Sequence, residues 1–290
     1  MTRFAYLTDT HLGCDETGYQ LQPRYHGRDL AALFEGLARW IEEQAIDFVV
    51  HGGDLTDHGS DDEIERAREL CARLGVPVHL CLGNHDLEAP GAIERWRACG
   101  ELLPSGADCF RLDAGDAAVV VTAHHWHPHV DYQWLRDDSQ TPRIDAQQEA
   151  QLDALLGDET RPVIAVTHAP LNAVPCAQTG DAEPFHPPHA PYLATWRRLA
   201  ERHANLRLVL TGHNHAHSQH DHGSFVSCTT AAFNEAPAQL RLIEIADGRI
   251  VARTVALAEA LDLPRDIDPA KAWTVGRAAD HHLRIALERV

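Results

Sequence analysis

Short apolar runs alternate with amphipathic segments from the first residues of the chain, and this alternation limits the fold more than any other feature. Three apolar runs have the length of buried strands: 4–8, 47–51 and 76–82. Residues 29–44 and 61–74 carry apolar side chains at helical spacing, and Ser60 with Glu63 forms a capping box before the second of them. Strand, helix and strand in this order are typical of βαβ units with parallel pairing. The sequence therefore predicts an α/β fold.

The pattern continues in the second half of the chain, which then changes to antiparallel strands. Helices are predicted there over 145–156 and 192–203, and strands over 162–167 and 206–210. Hairpins and antiparallel strands are predicted over five further runs: 108–112, 117–122, 224–229, 239–245 and 249–257. We expect one domain over residues 1–260 and a tail over 261–290 that ends in a helix at 276–290.

Five of the strand-like runs end in side chains that bind metal ions. These residues are Asp9 and His11, Asp54 and Asp57, Asn84 and His85, His168, and His213 and His215. Each of them alone is more typical of a helix cap, a turn or a buried polar side chain. Ligands in open α/β sheets lie beyond the carboxyl ends of the strands, so a parallel sheet would bring these residues to one edge. Their joint occurrence therefore favours a metal site.

The donor set indicates which ions such a site would hold. It contains carboxylates, imidazoles and one amide oxygen but no thiolate, which suits ions such as Mn, Fe or Zn. Seven or eight donors are too many for one ion and match two. Two ions about 3.5–4 Å apart are the arrangement that promotes in-line displacement at phosphorus. One carboxylate must then bridge them, and Asp54, from the central strand, is the best placed.

The order of these motifs resembles that of the calcineurin-like metallophosphoesterase superfamily. Five blocks stand in the family's order: Asp9-Thr10-His11, Gly53-Asp54-Leu55-Thr56-Asp57, Gly83-Asn84-His85-Asp86, Thr167-His168 and Gly212-His213-Asn214-His215. The resemblance covers roughly residues 4–245. It implies a four-layer α/β/β/α sandwich of two mixed sheets, with a dinuclear metal site at the strand ends.

Carried over to this chain, the resemblance implies two sets of ligands and a mechanism. Asp9, His11 and His215 would hold one ion, Asn84, His168 and His213 the other, and Asp54 would bridge them. The ions would be two divalent or mixed-valence transition metals, Mn, Fe or Zn. His85 would face the phosphoryl oxygen or the leaving group without binding metal, and Asp57 would orient a metal-bound imidazole. The implied reaction is hydrolysis of a phosphoester by a metal-bridging hydroxide, with His85 as proton donor.

Within this superfamily the chain most resembles the compact class that contains cyclic-nucleotide phosphodiesterases. The block 83–86 and the closing strands after His215 fit that class. The resemblance thus implies a small-molecule diester substrate, such as a cyclic nucleotide, with a phosphomonoesterase as the alternative. A nuclease and a non-catalytic metal-binding scaffold are the remaining alternatives. Three loops would decide between substrates: 13–27, 124–141 and 171–191.

The charge and the cysteines of the chain bear on its partners and its compartment. The formal net charge is −18 at pH 7, and an acidic surface repels nucleic acids and anionic membranes. No apolar run is long enough to cross a bilayer. The 7 cysteines are scattered and include no Cys-x-x-Cys pair, which favours reduced thiols in a cytoplasmic protein. The sequence does not set the oligomeric state, and a homo-oligomer stays open.

Many of the 21 histidines lie outside these motifs. His51 lies within a strand and is expected to be buried with a hydrogen-bond partner. Solvent exposure is the expectation for the others: His124, His125, His127, His129, His186, His189, His217, His220, His222, His281 and His282. A role in substrate binding is the lesser alternative for the loop groups 124–129 and 186–189.

Overall fold

Two mixed sheets form the centre of the protein. The computed structural model describes residues 1–15, 19–123, 141–263 and 265–287. The strands in these ranges are β1 (Thr2–Leu7), β2 (Phe48–His51), β3 (Val78–Leu80), β4 (Cys109–Ala114), β5 (Ala117–Thr122), β6 (Val163–Val166), β7 (Leu206–Thr211), β8 (Ser218–Asp221), β9 (Val226–Thr229), β10 (Gln239–Ala246), β11 (Arg249–Ala256) and β12 (His282–Ala286).

Each of the two sheets contains a block of parallel strands. The first sheet has the order β12-β11-β10-β1-β2-β3, and the second has the order β4-β5-β6-β7-β9-β8. Strands β1, β2 and β3 run parallel in the first sheet, and β5, β6, β7 and β9 run parallel in the second. The remaining pairs are antiparallel. The prediction of parallel βαβ units is therefore confirmed, and antiparallel strands extend both sheets.

Helices form the outer layers of the fold. The α-helices of the described ranges are α1 (Gly27–Gln44), α2 (Asp61–Ala72), α3 (Ala92–Arg97), α4 (Ala146–Gly157), α5 (Cys176–Thr179), α6 (Ala190–Arg202) and α7 (Leu257–Ala260). Helices α1, α2 and α6 each connect two parallel strands, which requires them to cross over a face of their sheet. The capping box of Ser60 and Glu63 begins α2 as predicted. The predicted four-layer α/β/β/α sandwich is confirmed.

The C-terminal segment differs from its prediction. The sequence predicts a helix over 276–290, but His282–Ala286 forms β12, which pairs with β11 in antiparallel register. Along this strand, Ile285 is buried and the flanking Arg284 and Ala286 are exposed, which is the two-residue period of a strand. Pairing with the edge of β11 satisfies the backbone of both strands and outweighs the local preference for a helix. The division of the chain at residue 260 stays a prediction.

The histidines outside the motifs follow the expectations only in part, since His189, His222 and His281 are half-buried and not exposed. His51 is buried, and its Nε2 lies 2.8 Å from Oγ1 of Thr10, so the expectation of a buried histidine with a partner is confirmed. His220 and His282 are exposed, as expected. The expectation for His217 is wrong, because the side chain is buried and its Nδ1 lies 3.2 Å from the Arg241 guanidinium. The group 124–129 lies outside the described residues.

Two further observations concern membranes and thiols. None of the helices in the described ranges combines the length and the hydropathy that a bilayer crossing requires. All the cysteines are free thiols: Cys14, Cys71, Cys81, Cys99, Cys109, Cys176 and Cys228. The expectation of reduced cysteines agrees with this arrangement.

Candidate metal centre

The candidate centre lies where the carboxyl ends of five parallel strands meet. In the first sheet, Leu7 pairs with His51 and His51 with Leu80, so β1, β2 and β3 end at the same level. The ends of β6 and β7 supply the second side, since Val166 pairs with Leu210. The donor residues follow directly after these strands. The site is therefore built from two sheets, which the pattern of strand ends alone did not reveal.

Hydrogen bonds join the two sheets at this edge. The backbone N–H of His213, after β7, donates to Oδ1 and Oδ2 of Asp9, after β1, at 3.1 and 3.0 Å. Nδ1 of His213 lies 3.0 Å from Oδ1 of Asn84, which follows β3. The backbone N–H of His85 donates to Oδ1 of Asp54 at 2.9 Å. These contacts hold the predicted donors of both sheets in one cluster.

Six donors form two groups of three. The donor atoms within each group lie within 4.8 Å of one another, and the groups are Asp9, His11 and His215, and Asp54, His168 and His213. Oδ2 of Asp54 lies 3.0 Å from Nε2 of His168 and 3.9 Å from Nε2 of His11, so this carboxylate reaches both groups. Asn84 contacts the second group through His213. All seven predicted ligand residues therefore lie together.

The backbone at the donors is left-handed at five positions. Positive φ angles of 46–73° occur at Asp9, His11, Asp54, His213 and His215. A residue with a Cβ loses about 1–2 kcal/mol in this conformation, and such strain is concentrated at functional sites. The neighbouring Gly83 has no room for a side chain, because a Cβ there would lie 2.2 Å from Oδ1 of Asp54. The chain thus holds the donors in place at the expense of local backbone strain.

The facing imidazoles of His11 and His215 fit a cation. Nδ1 of His11 lies 2.9 Å from Oδ1 of Asp57, and Nδ1 of His215 lies 2.8 Å from Oε1 of Glu235. Since a carboxylate only accepts, both Nδ1 atoms donate, and each neutral ring then carries a lone pair on Nε2. These two Nε2 atoms are 3.2 Å apart. Two lone pairs at this distance repel each other. A proton on His215, whose pKa the charge of Glu235 raises against the effect of burial, or a metal ion bound by both rings removes this repulsion.

The ionisation of the donors also suits metal binding. Burial opposes the charge of Asp54, but the imidazoles of His168, His85 and His11 hold the pKa of its carboxyl well below the usual range. Burial lowers the pKa of His11 and places that of His213 well below its usual range. The carboxylate of Asp54 is therefore ionised and the imidazoles of His11 and His213 are neutral, which are the forms that bind metal ions.

The other two imidazoles of the groups behave differently. Burial opposes their charge, but the carboxylate of Asp54 raises the pKa of His168 to about 9, and that of Glu235 raises the pKa of His215 above its usual value. Each of these rings would therefore release a proton when a metal ion binds.

His85 and Asp57 form, together with His11, a third group whose potential donor atoms lie within 4.8 Å of one another, beside the two groups of predicted ligands. Nδ1 of His85 donates to the backbone carbonyl oxygen of Asp57 at 2.8 Å, which directs the opposite face of the ring, with Nε2, away from this turn. The side chain of His85 is 28% exposed, whereas those of His11 and His168 are at most 3% exposed. A reactant can therefore reach His85. Asp57 contacts His11 on the side of the ring opposite to His215.

Two carboxylates complete the centre, and the motifs gave no role to either. Glu235 lies in the loop after β9, is buried, and accepts hydrogen bonds from His215 and from the backbone N–H of Gln22. Asp86 accepts from Thr56 and from the backbone N–H of Gly83. Burial, with a contribution from the charge of Asp54, raises the pKa of Asp86 to about 6. The sequence does contain one indication of the role of Glu235. It is an acidic residue in the mainly apolar segment 231–238, and a buried carboxylate requires a partner.

Glu235→Gln is expected to weaken metal binding by about 10–100-fold, the usual effect of a change to a group that orients a metal-bound histidine. Glutamine keeps the shape and one acceptor oxygen but removes the charge that supports His215. Equilibrium dialysis against a metal buffer measures the affinity. Glu94→Gln, at a glutamate on α3 with a 72% exposed side chain, is the matched control. An unchanged affinity in a folded Glu235→Gln variant would show that Glu235 serves only to fix the loop at Gln22.

Comparison with known proteins places this arrangement in a family. The profile of the calcineurin-like phosphoesterases matches residues 2–217. A probable cyclic nucleotide phosphodiesterase of Synechococcus sp. is 26% identical over 251 residues, which cover 83% of this chain and 86% of that protein. The 3',5'-cyclic adenosine monophosphate phosphodiesterase CpdA of Pseudomonas aeruginosa is 34% identical over 84 residues, 29% of this chain and 30% of CpdA.

A solved structure gives the corresponding likeness of fold. A dimetal phosphatase from Danio rerio superposes with a TM-score of 0.72 at 15% identity, over 99% of each chain. The family match extends from β1 to His217 and so includes every strand end that carries a donor residue. The chain therefore belongs to the calcineurin-like phosphoesterase family and is a hydrolase of phosphoester bonds.

Proposed function

We propose that the protein hydrolyses small-molecule phosphodiesters, cyclic nucleotides or related diesters, with two transition-metal ions. The observation that carries the proposal is the pair of donor groups that Asp54 reaches from both sides, with the accessible His85 beside them. The diester preference is supported by the relatives, which are described as cyclic nucleotide phosphodiesterases.

The ligand assignment follows the two donor groups. One ion would be held by Asp9, His11, His215 and Asp54, and the other by Asn84, His168, His213 and Asp54. Oxygen and nitrogen donors without thiolate favour Mn, Fe or Zn. When bound, two such ions neutralise the charge on the phosphoryl oxygens and lower the pKa of water. The particular metal pair is part of the proposal.

The chain's own residues then orient the substrate and supply a proton. With Nδ1 of His85 donating to the carbonyl of Asp57, the opposite nitrogen, Nε2, is the atom that would donate to the leaving oxygen. Asp57 holds the ring of His11, and Glu235 holds that of His215. Gly83 leaves the carboxylate of Asp54 room to approach the turn.

Bis(p-nitrophenyl) phosphate is expected to be hydrolysed at least as fast as p-nitrophenyl phosphate, and the purified protein should contain about two transition-metal ions per chain. Initial rates of nitrophenolate release and elemental analysis of the same sample measure both quantities. Strong hydrolysis of the monoester without hydrolysis of the diester would replace the proposal by the phosphomonoesterase alternative. Metal content without hydrolysis of either would favour a non-catalytic scaffold.

The remaining proposals concern partners and location. The net charge of −18 argues against a nuclease, which needs a basic surface for the phosphate backbone. The free thiols support a cytoplasmic location. We also propose that residues 1–260 form the catalytic domain, with 261–290 as its C-terminal extension.

A further inference from the structure

Two exposed rings lie against the two donor groups. The ring of Tyr19 contacts that of His215, in the first group, with centroids 5.6 Å apart. The ring of His186 contacts that of His213, in the second group, also at 5.6 Å. Tyr19 is 58% exposed and is, with Met1, one of two such large hydrophobic side chains in the described part of the chain. A single exposed aromatic ring is ordinary on a protein surface, so the contacts of these two rings with predicted metal ligands are what points to a role at the centre.

The loop that carries Tyr19 is fixed to the centre. The backbone N–H groups of Leu21 and Gln22 donate to the carboxylate of Glu235, which also holds His215. The side-chain amide of Gln22 donates to the carbonyl of Lys271 at 2.8 Å. The guanidinium of Arg24 donates to the carbonyl of Tyr19. The position of Tyr19 is therefore coupled to the same carboxylate that orients a predicted metal ligand.

The loop that carries His186 is fixed from the opposite side. Phe185 forms a β-bridge with Val174, with hydrogen bonds of 2.9 and 3.0 Å. The ring of Phe185 lies between those of His186 and Trp273, at 4.7 and 4.9 Å. His186 itself has a φ of 48°, a strained value for a residue with a side chain. Packing of Phe185 and the strained backbone thus direct the imidazole of His186 towards His213.

One C-terminal segment, 268–276, contacts both loops. It accepts hydrogen bonds from Gln22 through Lys271, and from the side-chain amide of Gln178 through the carbonyl of Trp273 at 2.8 Å. Trp273 also packs against Phe185. The segment lies beyond the residues that the family profile matches. The positions of the two rings are therefore set in part by a segment outside the residues that the family profile matches.

We propose that Tyr19 and His186, one beside each donor group, are specificity-determining residues. They bind a planar aromatic ring of the substrate, such as a nucleobase. Aromatic side chains stack on any planar ring and need no charge, which suits a protein whose acidic surface offers little attraction to an anionic substrate. This inference rests on the proposed diesterase function and adds the class of organic group that the site selects.

Isothermal calorimetry on the Mn²⁺-loaded protein tests the proposal with two ligands, adenosine 5'-monophosphate and inorganic phosphate. Tyr19→Ala and His186→Ala are each expected to raise the Kd of the nucleotide on the order of tenfold, as loss of a stacked ring does. The Kd of phosphate, which has no ring, is expected to change far less. Tyr19→Phe keeps the ring and should retain nucleotide affinity. His220→Ala, at an exposed histidine on β8, is the control.

The two ligands separate a stacking role from a structural one. Equal weakening of nucleotide and phosphate in both alanine variants would mean that the rings only support the centre, and the proposal would be overturned. So would a wild-type protein that binds phosphate and not the nucleotide. A nucleotide-selective loss in a protein that hydrolyses no diester would reject the proposed function and keep the ring site. Diester hydrolysis without a nucleotide-selective loss of affinity would keep the proposed function and overturn the ring site.

Discussion

Asp54→Asn is expected to lower kcat/KM for any phosphodiester by several orders of magnitude and to loosen both metal ions. Oδ2 of Asp54 approaches both donor groups, at 3.0 Å from His168 and 3.9 Å from His11. Oδ1 of Asp9 also approaches both, but lies 3.9 Å from His168. Removing its charge leaves two close cations without the anion between them, so that their mutual repulsion is less compensated. Asparagine is isosteric and accepts the left-handed backbone that Asp54 adopts, with a φ of 52°. The expected loss therefore has an electrostatic cause.

The comparison with Asp57→Asn makes this prediction specific. Asp57 contacts one imidazole, that of His11, so its loss is expected to cost about 10–100-fold in metal affinity or activity. Steady-state kinetics and elemental analysis measure the two effects, and circular dichroism checks the fold. Asp61→Asn, at an 80% exposed side chain in the first turn of α2, is the control. If Asp57→Asn proved more damaging than Asp54→Asn, the bridging assignment would be wrong.

His85→Ala is expected to separate proton donation from metal binding. Loss of a general acid typically costs about 10²–10⁴-fold, and the cost is greatest when the leaving oxygen is a poor leaving group. A cyclic nucleotide releases a sugar alkoxide, whereas bis(p-nitrophenyl) phosphate releases a stable phenolate. The variant should therefore lose far more activity on the cyclic nucleotide than on the nitrophenyl diester. Its metal content should stay at the wild-type value if the ions occupy the two groups that Asp54 reaches and not the third group, of His11, Asp57 and His85.

Rates on the two diesters and metal analysis of one protein sample measure this prediction. His220→Ala serves again as the control, because this exposed histidine lies on β8 and is not one of the clustered donor residues. Equal losses on the two diesters would mean that His85 binds the phosphoryl oxygen without donating a proton. Loss of metal would make it a ligand.

The sequence predicts that these side chains gather at one place because each of them follows a buried apolar run. The five strand ends meet in the structure, and the donor residues at 9–11, 54–57, 84–85, 168 and 213–215 lie together. The physical reason is that a buried strand is recognisable from its composition. The residues after its carboxyl end lie at the edge where a parallel sheet binds ligands. The pairing of two sheets was given by the family resemblance and not by the pattern.

The rest depends on contacts between distant parts of the chain. Glu235 meets His215 and Gln22 across loops that have no periodicity. Tyr19 lies in such a loop as well, and its neighbours are fixed by a segment about 250 positions away, as the bond from Gln22 to Lys271 illustrates. The sequence predicts a helix where the last strand lies, because a five-residue run is too short to distinguish the period of a strand from that of a helix. Pairing with β11 makes this segment a strand.

The left-handed backbone at five donor residues links the supply of metal to the amount of protein in a cell. Each of these residues lowers the stability of the empty fold by about 1–2 kcal/mol, and an ion that binds only the folded chain raises that stability with its concentration. When metal is scarce, a larger fraction of chains is unfolded and open to proteolysis. We therefore expect starvation for the metal to reduce the abundance of this protein as well as its turnover number, so that the two losses multiply.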